Sequence, residues 1–411
     1  MKKIQTTLSL LFLSFLVSVS AQVKETGNIT LGKKFEILSN VLNKTSEIQI
    51  YLPKSYKDSI KKNYPVIYVL DSQDYFNSVV SFQKMLVKRG IFPEFIVVGI
   101  ETDLRKRRIL FEKDAIKFIT FLDTELIHFI DENYRTNKQK ERLFFGWEMA
   151  GGIGIEILGK KPNLFSGYII ASATNIRGSR VTSLEKQLHN SKTSKAPFLL
   201  MVAAPDEGWL NNNEKLRSFF DKKKYGDLNW RYSIYNREQH HTTPFRAINE
   251  GIIDYFYNYN PVTFRTLKEY EDFGGLEGLK TFYKKRAERF DVSPAIDEST
   301  KMFILYNAVV ENNYERFVYY EKAFEGHIES NSGASWFHRY GSFYLKHKNL
   351  KDALYVYNYG LNKLGDSKLL YRGLGDVYSK MDKISKAKKA YKKALKIDPE
   401  YKQAIEGLNK I

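Results

Sequence analysis

Cysteine is absent from all 411 residues. That excludes disulfides, thiol catalysis, cysteine-ligated metals and a lipid-modified cysteine behind a leader. Long apolar runs are scarce too. Leu8 to Val19 is one, and no second run is long enough to cross a bilayer. Acid is in deficit, with 47 Asp and Glu against 65 Lys and Arg, a formal charge of +18. Basic charge can serve nucleic acid or an anionic membrane surface. Here Lys and Arg are spread along the chain with acids between them. The one dense tract, Lys380 to Lys396, has helical spacing and reads as a solvated helix face. No glycine-rich loop carries the lysine and hydroxyl of a phosphate cradle. The histidines are not read as a metal-ligating set. No cofactor, metal or nucleic-acid partner is expected.

What is present is globular: 43% apolar and 27% charged residues, in a chain long enough for two or three domains. Lys2 and Lys3, the apolar stretch and Val19-Ser20-Ala21 read as a signal peptide over residues 1–21, cleaved after about Ala21. Export follows, to a periplasm if the source is a bacterium, or beyond the cell. An exported chain without disulfides must be held by its core.

Ile48, Ile50 and Leu52 alternate with polar residues as in a half-buried strand ending at Pro53. Pro65 to Leu70 and Phe95 to Ile100 are continuous apolar runs rich in β-branched residues, expected for strands buried on both faces. Residues 76–88 have helical spacing. Residues 114–133 predict one amphipathic helix with Phe118, Phe121, Leu122, Leu126, Phe129 and Ile130 inward. Leu143 to Phe145, Gly167 to Ala171, Pro197 to Ala203 and Trp230 to Tyr235 supply further strands, and 245–258 a closing helix. Strands alternating with helices predict a mostly parallel sheet covered by helices.

From about residue 263 the strand runs stop. Phe337, Tyr340, Gly341, Tyr344, Ala353, Tyr357 and Gly360 recur 34 residues later as Tyr371, Leu374, Gly375, Tyr378, Ala387, Tyr391 and Ala394. That period and its small/large alternation are those of the tetratricopeptide repeat. Residues 301–333 read as a degraded first copy, since one repeat cannot bury its own apolar face. The expected domains are 22–262 for the sheet, 263–300 for a helical bridge and 301–411 for the all-α repeats.

Gly146-Trp147-Glu148-Met149-Ala150-Gly151-Gly152 joins a short apolar run to a helix-like segment. This is the context of a nucleophile elbow, G-x-S-x-G, with Glu148 at the serine position. An acid and then a histidine should come later in the chain. Asp206 and Glu207 come shortly after a buried strand, where such folds place active sites. His240 and His241 lie in the loop before the closing helix.

Several segments together resemble the esterase family that includes esterase D and the ferric-enterobactin esterase type of α/β-hydrolase. They are Ile50 to Pro53, YPVIYVLD, FIVVGIETD, Ile130 to Arg135, the elbow, Pro162 to Ser172 and HHTTP. The resemblance covers roughly residues 28–258, and the bridge Gly278 to Pro294 looks like that of members with a helical repeat tail. It implies an α/β hydrolase fold, with His240 as catalytic histidine and Glu207 as the acid, Asp206 being the alternative. It also implies oxyanion donors at the backbone N–H of Met149 and the Asp71-Ser72 turn. Glu148 falls on the nucleophilic serine, Trp147 on a common histidine and Ala150 on a glycine. After Asp103, LRKRRILFEKDAIKF lacks the glycine-rich loop often seen there.

A carboxylate attacking an ester would give a high-energy anhydride. It also places negative charge where oxyanion charge must build. Glu148 is therefore expected to pair with His240 and leave both groups quiet. The first functional expectation is an exported, catalytically impaired binding or scaffolding protein. The alternative is an active hydrolase of carboxylic esters using Glu148 and His240. Partners would be a small ester-like ligand in the pocket and a protein or peptide on the repeats.

Overall fold

The computed structural model describes residue 24 and residues 30–411, except 104, 177, 191–197, 206, 208, 209 and 223–228. The expected signal peptide lies outside the described residues.

One eight-stranded sheet runs through the N-terminal half, in the order β1-β2-β4-β3-β5-β6-β7-β8. Its strands are β1 (Lys33–Ser39), β2 (Lys44–Tyr51), β3 (Val66–Leu70) and β4 (Ile96–Ile100). They continue as β5 (Arg142–Trp147), β6 (Gly167–Ala171), β7 (Phe198–Ala203) and β8 (Asn229–Ile234). β1, β2 and β4 pair antiparallel, while β4 through β8 pair parallel. The helices among them are α1 (Ser72–Leu86), α2 (Ala115–Thr120), α3 (Ile127–Asn133), α4 (Met149–Lys160), α5 (Gly178–Asn190), α6 (Leu210–Lys222) and α7 (Thr243–Tyr255). Each central strand is fully buried because apolar clusters form on both faces. Tyr68, Phe144 and Tyr168 face one cluster; Val69, Phe145 and Ile169 face the other. This is the α/β-hydrolase fold expected from the sequence.

Two local differences have physical causes. β1 was not legible, because nearly all of its residues are exposed and no apolar alternation marks it. The helix expected over 114–133 is interrupted by a wider π-type turn at Phe121–Leu126. Such a turn takes up an extra residue and rotates the helical face beyond it. Phe129, expected inward, is consequently 36% exposed.

The tail is helical throughout. α8 (Leu267–Asp272) and α9 (Gly275–Phe290) form the bridge. α10 (Glu298–Val310), α11 (Tyr314–Ala323) and the short α12 (His327–Ser330) come next. The two legible repeats are α13 (Ala334–Lys346) with α14 (Leu350–Leu364), and α15 (Lys368–Lys380) with α16 (Ile384–Ile397); α17 (Lys402–Asn409) closes the array. The repeated small residues sit where aromatic rings pass. A Cβ at Gly341 would meet Tyr357 at 2.8 Å, and one at Gly375 would collide with Tyr391. Arg289 ties the bridge to the sheet domain, donating to both oxygens of buried Glu141 at 2.7 and 3.2 Å and to the Tyr255 carbonyl at 2.9 Å. Among the described residues no helix is long and apolar enough to cross a membrane.

Candidate active site

The chain leaves β3 toward β4 on one side, and leaves β5 toward β6 on the other. In open α/β sheets the crevice beyond the strand ends at such a reversal is where ligands bind. Asp71 follows β3 and Glu148 follows β5, so both stand at that crevice.

Glu148 occupies a sharp strand-to-helix turn with φ 54° and ψ −117°, a backbone that side chains rarely adopt. Its neighbours enforce the turn. A Cβ on Gly146 would collide with the Ala150 carbonyl, and one on Gly152 with the Thr174 carbonyl. The Glu148 N–H donates to the Ala171 carbonyl at 3.0 Å, and its own carbonyl accepts from Gly152 and Thr174, both at 3.0 Å. The strained elbow is therefore built, with Met149 opening α4 directly behind it.

The Glu148 carboxylate is paired with Arg107, not with His240 as the sequence suggested. Arg107 Nη2 donates to Glu148 Oε2, and its Nη1 donates to Asp71 Oδ2 at 2.6 Å. The guanidinium is nearly buried and lies 5.5 Å from the Trp147 ring centre. Asp71 also accepts from the Thr102 hydroxyl. Burial lifts the Asp71 carboxyl above its ordinary value, while Arg107 and Thr102 pull it back. Asp71 has φ 51° and precedes α1, so the turn expected to serve an oxyanion hole carries a buried carboxylate. Three charged groups from three strand ends thus form one chain: Asp71, Arg107, Glu148.

The other half of the site faces it from β7 and the loop before α7. His240 Nδ1 lies 3.3 Å from Glu207 Oε1. Glu207 Oε1 also accepts from the buried Ser172 hydroxyl, which lies 2.6 Å from Thr243 Oγ1. Thr243 in turn donates to the His240 carbonyl at 2.9 Å. The Trp147 indole N–H donates to that carbonyl at 3.1 Å, and its ring lies 4.7 Å from the imidazole centre. The acid–histidine pair is thereby held from both sides. Asp206, the alternative acid, lies outside the described residues. Among the described residues, no group of three or more His, Asp and Glu side chains converges to hold a metal ion.

Sequence reasoning missed Arg107, Ser172 and Thr243 as parts of the site. A pairing across 41 residues leaves no spacing signal. The one available hint was the cationic LRKRR stretch standing where a glycine-rich loop is usual.

This sheet, with a strained strand-to-helix elbow after β5, is that of the α/β-hydrolase fold. Residues 39–227 match the esterase family described as Putative esterase, and residues 369–406 match the tetratricopeptide repeat. The sheet domain thus resembles that esterase family over most of its length, and the tail carries a tetratricopeptide match. Ferri-bacillibactin esterase BesA of Bacillus subtilis (strain 168) is 24% identical over a stretch covering 43% of this chain and 70% of that protein. An IroE-like serine hydrolase from Shewanella oneidensis superimposes with a TM-score of 0.51 at 20% identity, covering 72% of this chain and 100% of that one. An uncharacterised protein from Capnocytophaga ochracea DSM 7271 reaches a TM-score of 0.53 at 17% identity, covering 88% and 93%. These two structural likenesses show a shared fold.

Proposed function

We propose that this is an exported, catalytically silent member of the esterase family that binds in its crevice and docks through its repeats. The observation that carries the reading is the ion pair between Glu148 and Arg107. Serine chemistry requires a hydroxyl on the elbow and room for oxyanion charge beside it. Here the elbow carries a carboxylate, and a guanidinium anchored on Asp71 holds it. A carboxylate whose oxygen is engaged by a guanidinium has fewer lone pairs free to attack a carbonyl carbon. Glu207 and His240 remain as a pair, and the elbow residue beside them carries no hydroxyl. The ligand class that fits is a small ester-bearing molecule, and ferri-bacillibactin, named for the relative, is the first to try. The repeats supply a surface for a protein or peptide partner.

A second reading, a working hydrolase with Glu148 as general base on water and His240 in support, is favoured by the intact Glu207–His240 contact. Short p-nitrophenyl esters and ferri-bacillibactin separate the two. The silent reading expects binding of the siderophore ester without turnover. Hydrolysis abolished by either Glu148→Gln or His240→Ala would overturn it and establish the second.

A further inference from the structure

The last repeat carries a charge pattern that the fold does not ask for. Eight lysines lie between residues 380 and 396, with Asp382 the one acid among them. On α16, Ala387, Ala390, Tyr391 and Ala394 are buried against the neighbouring helices. The opposite side presents Lys388, Lys389, Lys392, Lys393 and Lys396, which line one surface trough together with Ile384. All five lysines are exposed.

The preceding repeat is an internal control. The equivalent positions on α14, 34 residues earlier, hold Leu354, Tyr355, Asn358, Tyr359 and Asn362. Its inward residues, Ala353, Tyr357 and Gly360, match those of α16 in place and size. On α14, Leu354 and Tyr359 pack against the tail's core, whereas on α16 the same five positions are exposed lysines, all of one sign. A terminal repeat needs a polar face for solubility, but mixed charge or amides would provide that.

The charges are also uncompensated. Elsewhere exposed lysines meet acids: Lys34 with Glu101 at 2.9 Å, Lys268 with Asp272 at 3.0 Å, Lys368 with Asp398 at 2.6 Å. Among the described residues, none of the five lysines has an acidic oxygen within ion-pair distance.

We infer that the outer face of α16 docks the protein on an anionic phospholipid bilayer. The lysines from Lys388 to Lys396 span eight residues' rise of helix, about 12 Å, and lie along one side of a rod, suited to a plane rather than to a shaped pocket. It uses lysine throughout, a point charge, and no arginine, whose fork reads individual phosphates. Ile384, which lines the same trough, and Ile397, next after Lys396 on the helix, stand exposed at 36% and 45%, placed to enter the headgroup layer. The stripe holds no aromatic ring on which nucleic-acid bases could stack.

The test is co-sedimentation of the chain beginning at Gln22, which retains every described element, with phosphatidylcholine vesicles containing or lacking phosphatidylglycerol. Binding is expected only to the anionic vesicles and falls with added salt. Lys388→Gln, Lys392→Gln and Lys396→Gln combined should weaken partitioning about a hundredfold, at roughly fivefold per lysine. The same change at Lys57, Lys61 and Lys88 should leave it within about threefold. Unchanged circular dichroism and melting show that the variants fold. Failure of the parent chain to sediment with anionic vesicles would overturn the inference. So would an α16 variant that binds as well as its parent.

Discussion

Replacing Arg107 by Met removes the cation that stands between Asp71 and Glu148 and keeps much of its apolar stem. The Asp71 side chain is 1% exposed and Glu148 25%. Taking one partner from a buried ion pair costs about 3–5 kcal/mol, because the remaining charge is left without compensation. Water reaches Glu148, so the loss falls near the lower end, about 3 kcal/mol at neutral pH. The pH dependence has a definite sign. Burial already holds Asp71 above its ordinary value. A carboxyl whose folded-state value is raised binds its proton more tightly folded than unfolded. Its contribution is greatest in acid and is lost as pH rises through the folded-state value. Without Arg107 that value climbs further, so the deficit of the variant is small in acid and grows toward neutrality. Urea unfolding of the parent chain and Arg107→Met across a pH series reads this directly. Adding Asp71→Asn to the variant should recover much of the loss at neutral pH. A loss below about 0.5 kcal/mol, the range of an ordinary surface change, or one that ignores pH, would refute the charge chain as a structural element.

Three further outcomes are expected from the packing and the tail. Gly146→Ala forces a Cβ onto the Ala150 carbonyl; an overpacking cost of about 3 kcal/mol should appear as a lower urea midpoint. Arg289→Ala takes the guanidinium from the buried Glu141 carboxylate; about 3 kcal/mol should be lost and the bridge should become open to limited proteolysis. His338 meets the Tyr357 hydroxyl at 3.1 Å, and burial, helped by Arg372, lowers its pKa to about 4. A base with a lowered folded-state value stabilises fully above its unfolded value of 6.5 and loses that as pH falls toward 4. His338→Gln should flatten the acid limb of the tail's unfolding by up to about 3 kcal/mol.

Different features of the chain were legible for different reasons. The parallel strands announced themselves as apolar runs, because burial on both faces leaves no polar alternation. The repeats were legible because two copies must place small and large residues at one period to interlock. The elbow could be read because Gly146 and Gly152 have no room for a Cβ. Exposed β1 and the π-type turn at Phe121–Leu126 left no pattern, since neither is set by alternation or helical spacing. At the site, local chain chemistry pointed to Glu148, Glu207 and His240, and the structure brings Glu207 and His240 into contact. The partner of Glu148 was not legible. Arg107 reaches it through tertiary placement of a loop after β4, and any of several nearby cations would have read the same.

The most direct test of the silent elbow is labelling by a serine-reactive fluorophosphonate. The parent chain, Glu148→Ser, and Glu148→Ser with His240→Ala are compared at equal concentration. The account predicts no label on the parent chain, label on Glu148→Ser, and its loss when His240 is removed, because the elbow and the Glu207–His240 pair are already in place. Ester turnover by the parent chain that disappears in Glu148→Gln would contradict it, as would a Glu148→Ser chain that stays unlabelled while folded.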